Sequence, residues 1–380
     1  MRANSVLFTP LQCGPMLLKN RFMRSPTWEG LCDDNGFPTK KLLDMMVNLA
    51  KGGTGLIIPG YMYPIAHGKA APRQAGILSK QHAEAWKSTI EKIHSYGAKI
   101  VFQIGHGGIR CNPTLIGREP IGCSPLLPNT HEMTDLQIDE TIEAFAKASK
   151  YLENVGADGV QIHAAHGYLV SAFLSPLLNK RKDKWGGIIE NRTRFLNELT
   201  WAIRSQAKDS FALGIKINGS DCIEGGVTPG MCAENLSLSP AFDFVEISCG
   251  LGPKHWTTRA NMNIETIRKN HKNPEQLIKQ YHEFCDGVPF KKGYNLEAAQ
   301  FVKSSIPDLN VAAVGGWQTF AAMEDAVKSG KIDFISLSRP FLREPNLVNK
   351  LYEGGEMSRD HCSLCNENRV DRIHCQNFKK

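Results

Sequence analysis

His163, His166 and Tyr168 fall within six consecutive residues, His163-Ala164-Ala165-His166-Gly167-Tyr168. Two imidazoles three residues apart can face one acceptor, and a phenol two residues on brings a transferable proton to the same place. Together they can polarise a carbonyl and then protonate its product. The spacing also admits a metal, but no Glu or Asp at a matching offset completes a ligand set, so no metal is assigned. A purely structural role, with each ring bonding backbone inside the core, accounts less well for three complementary groups in one turn.

These residues must be positioned by the elements around them. An apolar, strand-like run, Gly159-Val160-Gln161-Ile162, precedes them, and an amphipathic stretch beginning Leu169-Val170 follows, so they sit where a strand hands over to a helix. Ligands concentrate at such junctions. The same kind of run recurs as Arg21-Phe22-Met23-Arg24, Gly55-Leu56-Ile57-Ile58, Lys99-Ile100-Val101-Phe102-Gln103, Leu213-Gly214-Ile215-Lys216-Ile217, Phe244-Val245-Glu246-Ile247, Val311-Ala312-Ala313-Val314 and Phe334-Ile335-Ser336-Leu337. Helical spacing of apolar residues separates most of them, over 42–50, 83–93, 138–152 and 192–203. Eight alternations predict an α/β fold, a closed (β/α)8 TIM barrel. The barrel is expected over 1–345 as one domain, with a capping insertion over 253–292 around Trp256 and Arg259. A C-terminal extension over 346–380 is expected as a helix and a Cys-containing tail.

In such barrels chemistry lies at the C-terminal ends of the strands. There the sequence places Ser25-Pro26-Thr27-Trp28, then Pro59-Gly60-Tyr61, then Gln103 with His106-Gly107-Gly108, then the histidines and Tyr168, then Lys216 and Asn218. Gly315-Gly316 and Ser338-Arg339 follow the seventh and eighth runs, where barrels often hold a phosphate. A phosphate at one edge of an amide-rich, cationic floor suits a flat phosphorylated heterocycle, and flavin mononucleotide (FMN) fits. Gln103 is positioned to bond the pyrimidine edge of its ring and Lys216 to balance negative charge on the reduced ring. Taken alone, Gly315-Gly316 reads as a tight turn and Arg339 as a surface ion pair; their value lies in occurring together.

Composition sets bounds on these readings. With 380 residues, 42% hydrophobic and 22% charged, the chain has the make-up of a globular protein long enough to bury a large core. No apolar run reaches the ~20 residues that span a bilayer, and the N-terminus lacks the apolar core of a secretory signal, so a cytoplasmic location is expected. Eleven cysteines then read as free thiols. The net charge of +7 is interspersed with acids, which predicts no nucleic-acid surface and mildly favours anionic small molecules.

Nearly the whole chain resembles the Old Yellow Enzyme family of FMN-dependent NAD(P)H:flavin oxidoreductases. The likeness runs from Leu7-Phe8-Thr9-Pro10-Leu11 and Lys19-Asn20-Arg21 to Ser338-Arg339-Pro340-Phe341. Its most specific part joins Ile162 through Leu169 to Phe173-Leu174-Ser175-Pro176, Asn179-Lys180-Arg181, Trp185-Gly186-Gly187 and Glu190-Asn191-Arg192. The resemblance implies FMN contacts at Ser25, Pro26, Thr27, Gly60, Gln103, Lys216, Gly315, Gly316, Ser338 and Arg339. It implies a substrate carbonyl held by His163 and His166, a proton delivered by Tyr168, and NADH or NADPH as reductant. The substrate class is then a small α,β-unsaturated carbonyl compound, and a homodimer or higher homo-oligomer is expected. Glu190 and Arg192 are expected to brace the loop after the fourth strand by ion pairing.

Departures from the family pattern are Trp28, where many relatives place Thr or Cys, and His106-Gly107-Gly108-Ile109-Arg110, where relatives read H-x-G-R. In the tail, dienoyl-CoA reductase relatives carry four cluster-binding cysteines, whereas here Cys362, Cys365 and Cys375 are interrupted by Arg369. Free thiols are expected there, with an iron-sulfur cluster, or zinc on Cys362, Cys365, His374 and Cys375, as alternatives. The further flavin and nucleotide domains of longer relatives are not expected here, so electrons are expected directly from bound nicotinamide. Rival readings are demethylase or dienol/dienoyl-type FMN chemistry, a non-redox barrel with a Schiff base on Lys216, and a flavin binder whose ring is blocked by Trp28.

Overall fold

Eight parallel strands close on themselves in chain order. They are β1 (Phe22–Arg24), β2 (Leu56–Ile57), β3 (Lys99–Ile104), β4 (Gly159–Ala164), β5 (Ala212–Ser220), β6 (Phe244–Cys249), β7 (Asn310–Val314) and β8 (Phe334–Leu337). The computed structural model describes residues 1–239, 242–251, 264–265, 268, 273–285 and 291–357. Each expected strand run is a barrel strand. The strands are buried almost end to end, as strands covered on both faces must be, which is why they read as continuous apolar runs without alternation. Register sets His163 beside Lys216 on β4–β5 and Lys216 beside Glu246 on β5–β6.

Amphipathic helices cover the outside. Lys40–Lys51, Asp135–Asn154 and Ile189–Arg204 contain the helical patterns read from the sequence and extend beyond them. The helix expected over 83–93 is instead two, Lys80–Glu84 and Lys87–Ser95. The break falls at Trp86, whose fully buried indole packs edge-on against Phe102 of β3 at 5.0 Å, so the chain turns there to seat the ring.

The barrel's two ends differ. Met23, Leu56, Val101, Ala212, Phe244, Ala312 and Phe334 fill the interior near the strand beginnings, together with Cys13, Met16 and Leu18 from an antiparallel hairpin, Leu11–Cys13 with Met16–Leu18. Apolar packing thus plugs the N-terminal end and leaves the opposite mouth to polar residues. Among the described residues no helix is long and apolar enough to cross a membrane, and seven cysteines are free thiols. Of the expected cap, the helix Pro274–Cys285 is described, while Trp256 and Arg259 lie outside the described residues. The helix Leu347–Tyr352 packs Leu347, Val348 and Leu351 into the main core, and the tail cysteines lie outside the described residues.

Candidate active site

The turn after β4 brings the three chemistry-bearing rings together. The ring centroid of His163 lies 5.5 Å from that of His166 and 4.9 Å from that of Tyr168. Tyr61, from the segment after β2, joins them at 5.1 Å from His163 and 5.2 Å from Tyr168. Gly105 permits this approach, because a Cβ there would sit 2.9 Å from both His163 Cβ and the Tyr61 ring.

His166 pays for its place with a left-handed backbone, φ 65°, followed by Gly167 at φ 73°. Strain of that kind persists only where the surroundings over-determine it. Here the His166 amide donates to Asn218 Oδ1 (3.2 Å), and Asn218 Nδ2 donates to Asp221 Oδ1 (2.8 Å). Asp221 in turn accepts from Ser175 Oγ (2.7 Å) and the Val227 amide (2.9 Å), and the His166 ring meets Ser248 Oγ at 2.7 Å.

Burial, with the nearby Lys216 ammonium, pushes His163 down to about 3, so its imidazole is neutral near pH 7. Its Nδ1 is buried without a hydrogen-bond partner. A polar atom left so is costly, which marks it as awaiting a ligand. Burial first, then Tyr168, raises the Tyr61 phenol well above its usual value, so it stays protonated.

Beneath the rings a hydrogen-bonded layer crosses the barrel. Gln103 Nε2 donates to Gln161 Oε1 (2.8 Å), and Gln161 Nε2 to Glu246 Oε2 (3.2 Å). Glu246 Oε1 accepts from Ser25 Oγ (2.6 Å), Ser336 Oγ (2.8 Å) and Lys216 Nζ (3.2 Å), and Lys216 also donates to Ser25 Oγ (2.8 Å). Burial draws the Lys216 pKa down and Glu246 opposes it. The floor is therefore not simply cationic, since one carboxylate balances its lysine.

The remaining expected residues lie around the same mouth. Thr27 and Ser338 join the ends of β1 and β8 through their hydroxyls at 2.6 Å, with Pro26 and Arg339 adjacent in the chain. Gly315 and Gly316, at the end of neighbouring β7, take φ 106° and 77°. The Gly60 amide is committed to Glu29 Oε1 (2.9 Å), which also pairs with buried Arg24 at 2.7 Å, so Gly60 offers a ligand its Cα or carbonyl. Trp28 donates its indole N–H to the Pro72 carbonyl at 3.2 Å. One expectation is corrected: Arg192 donates to the carbonyls of Leu174 (3.1 Å) and Gly187, and forms no salt bridge with Glu190. The guanidinium is held by two carbonyls at the ends of the loop, and Glu190, two residues before it on the same helix, projects to a different face. The loop's ion pair is Arg181 with Asp183 at 2.6 Å.

Sequence reasoning passed over Glu246 and Gln161. Both stand inside apolar strand runs, where a buried carboxylate or amide must find partners; that mismatch was the available signal. The chemistry of the residues present suits FMN: Gln103's carbonyl oxygen, buried Lys216, the Gly315-Gly316 turn at the end of β7 with Arg339 after neighbouring β8, and the unpartnered His163 Nδ1. Among the described residues no three metal-binding side chains gather as a metal site.

A family model described as the NADH:flavin oxidoreductase / NADH oxidase family matches residues 6–357. The chain is 30% identical to the NADH-dependent flavin oxidoreductase nadA of Aspergillus parasiticus, over 88% of this chain and 75% of that protein. It is 26% identical to the NADH oxidase of Thermoanaerobacter brockii, over 95% of this chain and 52% of the relative. Among solved structures, a 2-naphthoyl-CoA reductase complexed with 2-naphthoyl-CoA superposes with a TM-score of 0.82 at 27% identity, covering 97% of this chain and 56% of that one. The chain thus spans about half the length of the latter two.

Proposed function

Because the chain belongs to the NADH:flavin oxidoreductase / NADH oxidase family, we propose that it passes hydride from NADH or NADPH, through FMN, to the C=C bond of an α,β-unsaturated carbonyl compound. FMN, when bound, supplies the two-electron relay between nicotinamide and substrate. His163 and His166 hold the substrate oxygen, Tyr168 protonates the α-carbon, and the β-carbon receives the hydride.

The observation that carries this reading is the His163 side chain: neutral, buried and with Nδ1 unpartnered beside the Tyr168 ring. A neutral imidazole whose Nδ1 is bound to no partner can carry its single proton on the nitrogen that faces a substrate oxygen, and the bond it donates strengthens as negative charge builds there. Such a bond lowers the barrier and does more than bind. Tyr168, half-exposed at the mouth, has its proton within the same ring cluster. Below, Ser25, Pro26, Thr27, Gly60, Gln103 and Lys216 form the floor for the flavin ring, and Gly315, Gly316, Ser338 and Arg339 the edge for its phosphate. The layer from Gln103 to Glu246 turns Gln103's N–H inward and leaves its carbonyl as an acceptor for a ring N–H. Lys216 Nζ is tied down by Ser25 and Glu246, which argues against a Schiff-base nucleophile, since that requires an amine free to reach a carbonyl.

The test is an absorbance spectrum of the purified protein, anaerobic titration with each nicotinamide, and stopped-flow mixing of the reduced protein with cyclohexenone. Flavin absorbance that bleaches with nicotinamide and returns with the enone is expected. A colourless protein that takes up no FMN, or a reduced one indifferent to cyclohexenone, would overturn the proposal.

A further inference from the structure

Arg110 lies on the loop where this chain departs from the family spacing, and it returns to the candidate site. A Cβ built on Gly167 would meet Arg110 Nη2 at 3.0 Å, Cζ at 3.3 Å and Nε at 3.3 Å. Three guanidinium atoms at nearly one distance mean that the plane of the group lies against the Gly167 backbone, between His166 and Tyr168. Contact through the face leaves the donor edge free for hydrogen bonds.

The loop that carries Arg110 is built to hold it there. The Gly108 amide donates to His106 Nδ1 (2.9 Å), the His106 carbonyl accepts from the Leu169 amide (3.0 Å), and the Gly107 amide donates to the Gly68 carbonyl (3.0 Å). A Cβ on Gly108 would meet the Leu169 backbone at 3.2 Å, and one on Gly107 would meet Cys111 Sγ at 2.6 Å. The loop is therefore pressed against the residue that follows Tyr168.

Arg110 has five N–H donors. Among the described residues it makes one hydrogen bond, from Nη2 to the Leu251 carbonyl, and no carboxylate pairs with it. It is half-buried and thus reachable from the mouth. A partly buried guanidinium whose charge meets only a neutral carbonyl is unfavourable unless an anion completes it. Burial lowers the pKa of Arg110, while the phenols of Tyr168 and Tyr61 oppose that shift, which places the cation within electrostatic reach of both.

We propose that Arg110 binds a carboxylate, and that the substrate is an α,β-unsaturated carbonyl compound bearing a carboxylate group. This inference rests on the proposed function, because it takes His163 and His166 as the carbonyl site. The guanidinium edge and the two imidazoles then receive two oxygen-bearing groups of one molecule, which orients its double bond.

Phenols, whose oxygen imitates the enolate, give a test that does not depend on turnover. The FMN-loaded protein is titrated with 2-, 3- and 4-hydroxybenzoate and with the three matching hydroxybenzamides, following the flavin absorbance and the heat of binding. At least one acid should bind about 10- to 100-fold more tightly than its amide, as a charge-assisted pair warrants. Arg110→Gln should remove that preference while the amide's affinity holds, and Arg110→Lys should keep part of it. Equal affinity for acids and amides in the unsubstituted protein overturns the inference, and so does a preference that survives Arg110→Gln; both leave the carbonyl site standing. If the guanidinium served only to steady Tyr168 or the loop, acids and amides would weaken together in Arg110→Gln, which also overturns it. Binding of none of the six compounds to the yellow protein would overturn the carbonyl site and this inference with it.

Discussion

Lys216 Nζ and Glu246 Oε1 meet at 3.2 Å across β5 and β6, with side chains only 6% and 0% exposed. Removing one member of a buried pair leaves the other charge without compensation, at a cost of about 3–5 kcal/mol. Glu246→Gln keeps an acceptor for Ser25 and Ser336 but loses the charge. Denaturant unfolding of the apoprotein should show a stability loss of about 3 kcal/mol. An unchanged midpoint would mean that water, not Glu246, satisfies the ammonium.

Gly315 differs from other glycines of positive φ. A Cβ there would lie 2.1 Å from the Tyr294 hydroxyl, at φ 106°. Gly330, at φ 70°, has nothing within 4 Å. Gly330→Ala should cost only backbone strain, about 1–2 kcal/mol, and leave FMN retention intact. Gly315→Ala must also displace Tyr294 from the β7 end, and should release FMN on gel filtration. Equal flavin content in both variants would detach Gly315 from the phosphate edge.

The barrel was legible because parallel strands covered on both faces cannot hide their apolar runs; β2, with two paired residues, was found inside Gly55-Leu56-Ile57-Ile58. The ring cluster was legible for a different reason, since three of its four members share one turn. Tyr61 was visible only as a residue beyond a strand end, because its contact with Tyr168 spans over a hundred residues of chain. Glu246 and Gln161 were hidden inside strand runs, since a polar residue there is revealed only by its partners on neighbouring strands. The break at Trp86 follows from tertiary packing, which helical periodicity does not encode.

Tyr168→Phe removes the proposed proton donor while leaving the ring that packs against His163 and Tyr61. Reduction of FMN by nicotinamide involves no proton from this phenol and should keep its rate. Reoxidation by cyclohexenone should slow by about 10²–10⁴-fold, the range of a lost general acid. Single-turnover measurements separate the two halves, and an equal loss in both would assign Tyr168 to the positioning of the ring system.

Acid should destabilise the fold through His106 and His163. The Gly108 amide donates to His106 Nδ1, so that nitrogen carries no proton, and the proton on Nε2 points to His67 Nδ1 at 2.9 Å. Charging His106 therefore breaks the bond to Gly108, and burial, reinforced by His67, already holds it at about 3. His163 stands at about 3 as well, while both would take up a proton near 6.5 in the unfolded chain. Between those values the unfolded state binds more protons, so each histidine contributes stability that is full above pH 6.5 and is lost as pH falls toward 3. The slope is up to about 1.4 kcal/mol per pH unit for each. Urea unfolding at several pH values between 7 and 4 should show His163→Asn with a shallower decline, by about one proton, than the unsubstituted chain. An identical decline would locate the acid lability in other groups, and would mean that His163 already carries its proton in the folded state.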